Sequence, residues 1–217
     1  MHKEGFGLLI GFVLAALVLT LGHRMLGAGI FLRGVEILLW LCAGFTLYFF
    51  RDPERKIPTA QGLIVSPADG TVVEIVEEFE PEYIKGPARR ISIFLSPFNV
   101  HVNRSPITGE VKYYSYREGK FLRAFLPEAS TENEQSIIGM EAPWGKVTFK
   151  QIAGIIARRI VCDAREGRML ERGERFGIIK FGSRMDVYMP LDAPLKVRVR
   201  DKVKAGESIL GEIKNAS

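Results

Sequence analysis

Hydrophobic positions change their period once along the chain, and that change divides it. From Gly5 to Gly22 no charged side chain interrupts the apolar sequence, and a second apolar run, Ala28 to Phe50, is broken only by Arg33 and Glu36. Each run approaches the ~20 residues an α-helix needs to cross a bilayer core, so residues 1–50 are expected to form a transmembrane helical hairpin. Arg33 and Glu36, three apart, are spaced to pair on one helix face, or Arg33 to snorkel to the interface. After a polar, proline-bearing linker over 51–62 the period falls to two. Residues 71–76, 90–95, 110–114, 146–150 and 195–199 alternate apolar and polar positions and are punctuated by Gly and Pro, the pattern of short strands in a sandwich or barrel. Residues 152–162 fit strand or helix, and 164–172 fit a short helix ended by Gly173. The expected fold is mainly β, a barrel- or sandwich-like soluble domain over 63–217 behind an N-terminal hairpin.

One segment repeats. Ser66-Pro67-Ala68-Asp69-Gly70-Thr71-Val72 returns as Ser105-Pro106-Ile107-Thr108-Gly109-Glu110-Val111, in each case a proline-initiated turn closing on Gly before an apolar strand. The tail from Val203 to Gly211 supplies a third corner of this kind. Such turns also occur in biotinyl- and lipoyl-carrier folds, so a non-catalytic, membrane-anchored carrier-like β module is an alternative.

Charge refines the topology. His2 and Lys3 precede the first apolar run and Arg51, Arg55 and Lys56 follow the second, with Arg24 and Arg33 between them, which favours both termini on the cytoplasmic side of a cell membrane. The net charge of +5 and pI near 9.2 suit a body beside an anionic bilayer. No basic run interleaved with aromatics points to nucleic acid. Cys42 lies in the second apolar run and Cys162 in the soluble part, a placement that fits a reducing compartment rather than a disulfide.

The chemistry concentrates at three places. Gly182-Ser183 lies in a strand-like run, Gly177 to Asp186. Gly182 has no side chain to shield its carbonyl, and the Ser183 hydroxyl can attack it through a five-membered ring, turning the amide into an ester. Elimination from the serine β-carbon leaves dehydroalanine, which hydrolyses to a pyruvoyl group able to condense with amines and withdraw electrons. The soluble part has a single histidine, His101, in Ser96-Pro97-Phe98-Asn99-Val100-His101-Val102-Asn103-Arg104. One His and one Cys do not make a zinc site of the usual kind, so no metal is expected and an envelope peptidase of that type is disfavoured. Asp69 is an ordinary turn residue; its functional reading is as orienter of His101, which would take the proton from Ser183.

Together, the hairpin, Pro-Ala-Asp-Gly at 67–70, Ser-Pro-Phe-Asn-Val-His-Val-Asn-Arg at 96–104 and Phe-Gly-Ser-Arg at 181–184 resemble phosphatidylserine decarboxylase in its short prokaryotic form, over essentially the whole chain. Asn133-Glu134, Gly154 and residues 176–190 fall in the expected order. The resemblance implies a proenzyme that cuts itself at Gly182-Ser183 into a β chain, 1–182, and an α chain, 183–217, paired as a heterodimer and capable of further dimerisation. It implies a covalent pyruvoyl cofactor from Ser183, forming a Schiff base with phosphatidylserine and releasing CO2 to give phosphatidylethanolamine, with Asp69 and His101 assisting. Longer family members carry a second histidine three positions on, where this chain has Arg104. His101 then serves both proton steps, or Arg104 or a water takes one. Arg104, Arg184 and the pair Arg89-Arg90 are candidates for gripping the phosphodiester.

Overall fold

A computed structural model describes residues 1–27, 29–122, 128–154, 159–180 and 183–213. The chain divides into two compact units, Met1–Pro53 and Glu54–Ser217. In the first, helices α1 (Phe6–Leu26) and α2 (Ile30–Phe49) are each long and apolar enough to cross a membrane. Their polar residues pair between helices. Glu36 of α2 accepts from Thr20 Oγ1 of α1 at 2.7 Å, and Arg33 Nε donates to His23 Nε2 at 3.0 Å. Arg33 and Glu36 thus each find a partner on α1, which satisfies both in an apolar setting.

The second unit is built from β1 (Leu63–Val65), β2 (Gly70–Glu80), β3 (Gly86–Leu95), β4 (Val102–Arg104), β5 (Gly109–Arg117), β6 (Gln135–Ala142), β7 (Gly145–Ile152), β8 (Ile160–Cys162), β9 (Met169–Leu170), β10 (Arg175–Ile179), β11 (Ser183–Met189), β12 (Lys202–Val203) and β13 (Ile209–Glu212), with one short helix, α3 (Ala129–Glu132). Eight strands form one antiparallel sheet in the order β12-β2-β3-β11-β7-β6-β5-β9; β4-β10-β8 and β1-β13 form smaller ones. Val72, Ile91, Ile93, Val111, Met140, Phe149, Met185 and Val187 fill the core. Residues 54–58, polar enough to read as linker, are bound into this unit: Arg55 pairs with Asp69 at 2.9 Å and Lys56 N donates to Glu207 Oε1 at 3.1 Å.

The repeated turn marks a duplication of structure. Ser66 Oγ donates to Ala68 O at 2.7 Å and Ser105 Oγ to Ile107 O at 2.7 Å. The two corners also interlock, Val65 N donating to Pro106 O and Arg104 N to Pro67 O. A side chain at Gly70 would strike the Phe94 carbonyl, and one at Gly109 the Glu141 carbonyl. The register slips after Val72 in β2 and after Val111 in β5, the same step in both copies. Gly206 N donates to Ser66 O and Gly173 N to Ser105 O, so the tail corner has a counterpart at 169–175. The eight-stranded order therefore reads alike from either edge, with β11 matching β7 at the centre.

Two sequence expectations fail locally. Residues 164–172 form a turn through Gly167 (φ +83°) leading into β9, not a helix. The alternating stretch 195–199 is a wrapping segment: Leu195 bridges Gly211, but Asp201 caps the Arg198 N–H at 2.8 Å and Arg200 adopts φ +81°, turning the chain away. Of the ambiguous region 152–162, residues 160–162 are strand β8, and 155–158 lie outside the described residues.

Candidate functional site

In one half of the duplicated sheet, β6 and β7 are joined by a tight turn, Ala142 opposite Gly145. In the other, the matching pair is β3 and β11, with Leu95 opposite Ser183. These two strands are not consecutive. The chain leaves Leu95 into the loop 96–101, and it returns to Ser183 from the end of β10. A plain hairpin in one half is thus replaced in the other by two separate connections meeting at one end of the body, and both carry chemistry.

Ser183 opens β11 and alternates with Arg184, so its side chain falls on the inner face with Met185 and Val187. It is fully buried, and its Oγ has no hydrogen-bond partner among the described residues. Gly182, the candidate cleavage residue, lies outside the described residues with Phe181. His101 is also fully buried. Its neighbour Val102 pairs with Ile178 of β10, five residues before Ser183, so the β4–β10 ladder brings both residues to the same end. His101 Nδ1 lies 3.0 Å from Asn99 O. Because a carbonyl only accepts, this contact puts the proton on Nδ1 of the neutral ring and leaves Nε2 with its lone pair.

Asp69 is placed at the corner preceding β2. Its carboxylate accepts two hydrogen bonds from Arg55 Nη2, both 2.9 Å, and one from Ala205 N at 2.8 Å. The matching corner has Thr108 accepting from Arg172 N at 3.1 Å, so the backbone bond belongs to the duplicated architecture and the arginine pair is particular to Asp69. Arg104 points to the same region, its Nη1 donating to Gly173 O at 2.9 Å.

Neutral polar side chains complete the interior, and sequence reading missed them. Gln151 of β7 donates to Asn103 Oδ1 at 2.9 Å, bridging the large sheet to β4. Asn103 Nδ2, Gln151 Oε1 and Ser136 Oγ are buried without partners among the described residues. Buried polar atoms are nearly always satisfied, so a cluster left open beside a buried serine marks a place where another polar group belongs. The only trace in the sequence is Asn103, in β4 two residues beyond His101. Asn133 is structural, tying Leu122 and Ala153 together through three hydrogen bonds of 2.8–2.9 Å.

The outer face of the same strands is charged and covered. Arg184, 1% exposed, donates to Asp186 Oδ1 at 2.6 Å, to Ser92 Oγ at 2.6 Å and to Glu74 Oε2 at 3.3 Å. Arg90 binds Glu78 and Glu74, both at 2.8 Å; burial opposes its charge, but the Glu78 hydrogen bond and the Asp186 carboxylate hold its pKa above the ordinary arginine value. Lys150 packs over the Tyr188 ring at 4.9 Å. Burial drives the Lys150 pKa down and the Tyr188 pKa up.

A buried serine and histidine at the opened end of a duplicated β body, preceded in sequence by two apolar helices, mark a class of β protein with polar groups enclosed at one end. Comparison with known proteins narrows the class. Residues 42–211 match the family model for phosphatidylserine decarboxylase. Phosphatidylserine decarboxylase proenzymes of Salinibacter ruber and Magnetococcus marinus are 56% identical over 173 residues (78% of this chain, 76% of the relative) and 47% identical over 181 (83% of each). That of Pelobacter propionicus is 46% identical over 211 residues, 97% of this chain and 95% of its own. The chain belongs to the phosphatidylserine decarboxylase family, and a carrier-like module is not favoured.

Proposed function

We propose that the chain is the proenzyme of a pyruvoyl-dependent phosphatidylserine decarboxylase, held at the cell membrane by its hairpin with the β body on the cytoplasmic side. The observation that carries this reading is Ser183: buried, first in a central strand, with an Oγ that no described residue engages. Ser66 and Ser105 spend their hydroxyls on nearby carbonyls, and Ser136, open like Ser183, follows Gln135 rather than a glycine; only the Ser183 hydroxyl is both open and next to an unshielded glycine carbonyl.

Maturation then follows from the chain's own groups. His101 Nε2 accepts the Ser183 hydroxyl proton, Oγ adds to the Gly182 carbonyl, and the peptide nitrogen leaves protonated, converting amide to ester. Loss of the residue-183 Cα proton expels the Gly182 carboxylate and leaves dehydroalanine, which takes up water and releases ammonia to give the pyruvoyl group. When formed, that group supplies an electron sink for decarboxylation of an amino-acid head group.

In turnover, His101 is the proton donor and acceptor within the closed site, and Asn103 Nδ2 is a buried donor for a substrate oxygen. Asp69 acts on His101 through the corner it braces, since Pro67 O in that corner holds Arg104 N at the end of β4. Arg104, committed to Gly173 O, shapes the same corner, which leaves both proton steps to His101. The α chain stays in place after cleavage because β11 lies between β3 and β7. Lys and Arg flanking the two helices support the cytoplasmic orientation.

Intact-mass measurement on purified protein tests this directly. Two fragments are expected, the smaller starting at residue 183, blocked at its amino end and reactive with hydrazines, together with CO2 release from phosphatidylserine. An active, unbroken 24.3 kDa chain would overturn it.

A further inference from the structure

The register of the central strands lays polar side chains in two rows on the inner face. Met185 of β11 pairs with Gln151 of β7, Gln151 with Ser136 of β6, and Ser136 with Tyr116 of β5. Two residues along each of the first three strands, on the same face, stand Ser183, Ala153 and Glu134, with Ala153 N donating to Glu134 O at 2.9 Å. Ala153 is thus a small floor between a serine and a carboxylate. Gln151, the diagonal neighbour of Ser183, has its amide oriented by its surroundings: Nε2 lies 2.9 Å from Asn103 Oδ1 and 3.4 Å from Val161 O. Because that carbonyl only accepts, Oε1 is the end left open, a buried acceptor without a donor, as Ser136 Oγ is also open.

Glu134 is the one acid in these rows. It is 6% exposed, takes a hydrogen bond from the Tyr116 hydroxyl at 2.9 Å, and has no ion-pair partner among the described residues. Burial, and then this bond, push the Tyr116 hydroxyl up to about 12, so the phenol stays a donor and anchors Oε1 while Oε2 is left for another group. Withdrawing a carboxylate from water without a cation is costly. Two neutral acceptors and one carboxylate, enclosed together, are the complement of a primary ammonium, which has three N–H groups and nothing that accepts.

We propose that Glu134 is a further catalytic residue, the base that takes the proton of the substrate's ammonium group. Gln151 Oε1 and Ser136 Oγ hold two of the N–H groups; the third N–H bond breaks, an O–H bond forms at Glu134 Oε2, and the electron pair stays on nitrogen, which is then able to attack the residue-183 carbon. This rests on the proposed function. There the two proton steps fall to His101, and the amine's own proton is a third transfer, required because an ammonium nitrogen has no lone pair with which to attack.

The test uses the full chain in detergent and two amines that differ in charge. Methoxyamine is unprotonated at neutral pH; the amino group of a soluble short-chain phosphatidylserine is an ammonium, and its attachment is fixed with cyanoborohydride. Both are read as mass added to the fragment that starts at residue 183, the lipid adduct counted with or without its carboxyl. Glu134→Gln is expected to cut itself as the parent does and to keep the parent's rate with methoxyamine, while its rate with the lipid falls by about a hundredfold, the lower end of what a positioned base supplies. Glu134→Asp, which keeps the charge and shortens its reach, should fall between parent and Glu134→Gln on the lipid alone. Equal slowing with both amines, or no slowing with the lipid, would overturn the inference and leave Glu134 a structural partner of Tyr116. If Glu134→Gln stays uncut, the same comparison on Glu134→Asp decides the matter. A parent whose small fragment takes up neither amine would overturn the proposed function itself, whereas a methoxyamine-reactive parent with an indifferent Glu134→Gln removes only the role of Glu134.

Discussion

Replacing Arg184 by methionine should be among the most damaging single changes in the β body, although the sequence offers the residue only as one of several candidates for gripping a phosphodiester. The side chain is 1% exposed and contacts Asp186, itself fully buried. Removing one partner of a buried ion pair costs ~3–5 kcal/mol, because the remaining charge is stranded away from water. Asp186 would keep the Ser130 Oγ hydrogen bond at 2.8 Å and Arg90 at 3.8 Å, which places the loss toward the lower end, about 3 kcal/mol. In a body of this size each kcal/mol moves Tm by roughly 2–4 °C, so the melt should fall by about 6–12 °C. The measurement is best made in a Ser183→Ala background, where no cleavage complicates the transition, with the full chain in detergent. Removing both charges, Arg184→Gln with Asp186→Asn, should recover more than half of the loss, since no carboxylate is then stranded at position 186 and Arg90 keeps Glu74 and Glu78. A drop under ~2 °C for Arg184→Met, or a double variant no better than the single one, would refute the reasoning.

His101→Ala should slow maturation or turnover by ~10²–10⁴-fold, the usual weight of a general acid–base, read as accumulation of uncut chain or as lost CO2 release; unchanged kinetics would remove His101 from the mechanism. Burial pushes the Cys162 thiol up to about 11, so at pH 8 its thiolate fraction is about a hundredth of that of an ordinary thiol, and peptide mapping after brief alkylation should find it unmodified until the body unfolds. Lys150 has a folded pKa depressed by burial below the ordinary 10.5. Between those two values the unfolded chain binds the extra proton, so this residue makes stability rise with pH there and lowers it fully below the folded pKa. Lys150→Met should therefore lose that part of the slope, seen as a Tm difference from the parent that narrows toward high pH; a constant difference would count against it.

The parts of this architecture visible in the sequence are those whose cause is local. Two apolar runs announce the hairpin, and the Ser-Pro turn at 66 and 105 announces two of the four corners. The fourth corner, Leu170-Glu171-Arg172-Gly173-Glu174, shares with Val203-Lys204-Ala205-Gly206-Glu207 only an apolar residue, a glycine and a glutamate, too little to notice before Gly173 and Gly206 are seen donating to Ser105 and Ser66. Alternation misled at 195–199 because period two describes any chain with one side to a core, whether or not a neighbouring strand is there to pair. Ser183 and His101 were legible as reactive types. Asn103 and Gln151 were not, since a neutral polar residue in a strand ordinarily faces water and only the register of β4, β7 and β10 turns both inward. Asp69 was legible as a corner residue, but its arginine comes from Arg55, fourteen positions earlier in a stretch that reads as linker. The Arg184 network joins β2, β3 and β11, and no sequence pattern links Glu74 to Asp186.

β11 sits at the middle of its sheet, with seven residue pairs to β3 and five to β7. In the proposed maturation, the strand is laid down as part of one continuous polymer and afterwards belongs to a separate, short one. Assembly is thus unimolecular only once. A mature molecule that comes apart must recover its centre by collision, at a rate set by concentration, and the fragment it recovers has lost the serine with which the process began. Endurance after activation would then depend on how slowly that strand is released rather than on the depth of a reversible equilibrium, which makes the tightness of the neighbouring ladders a determinant of working lifetime.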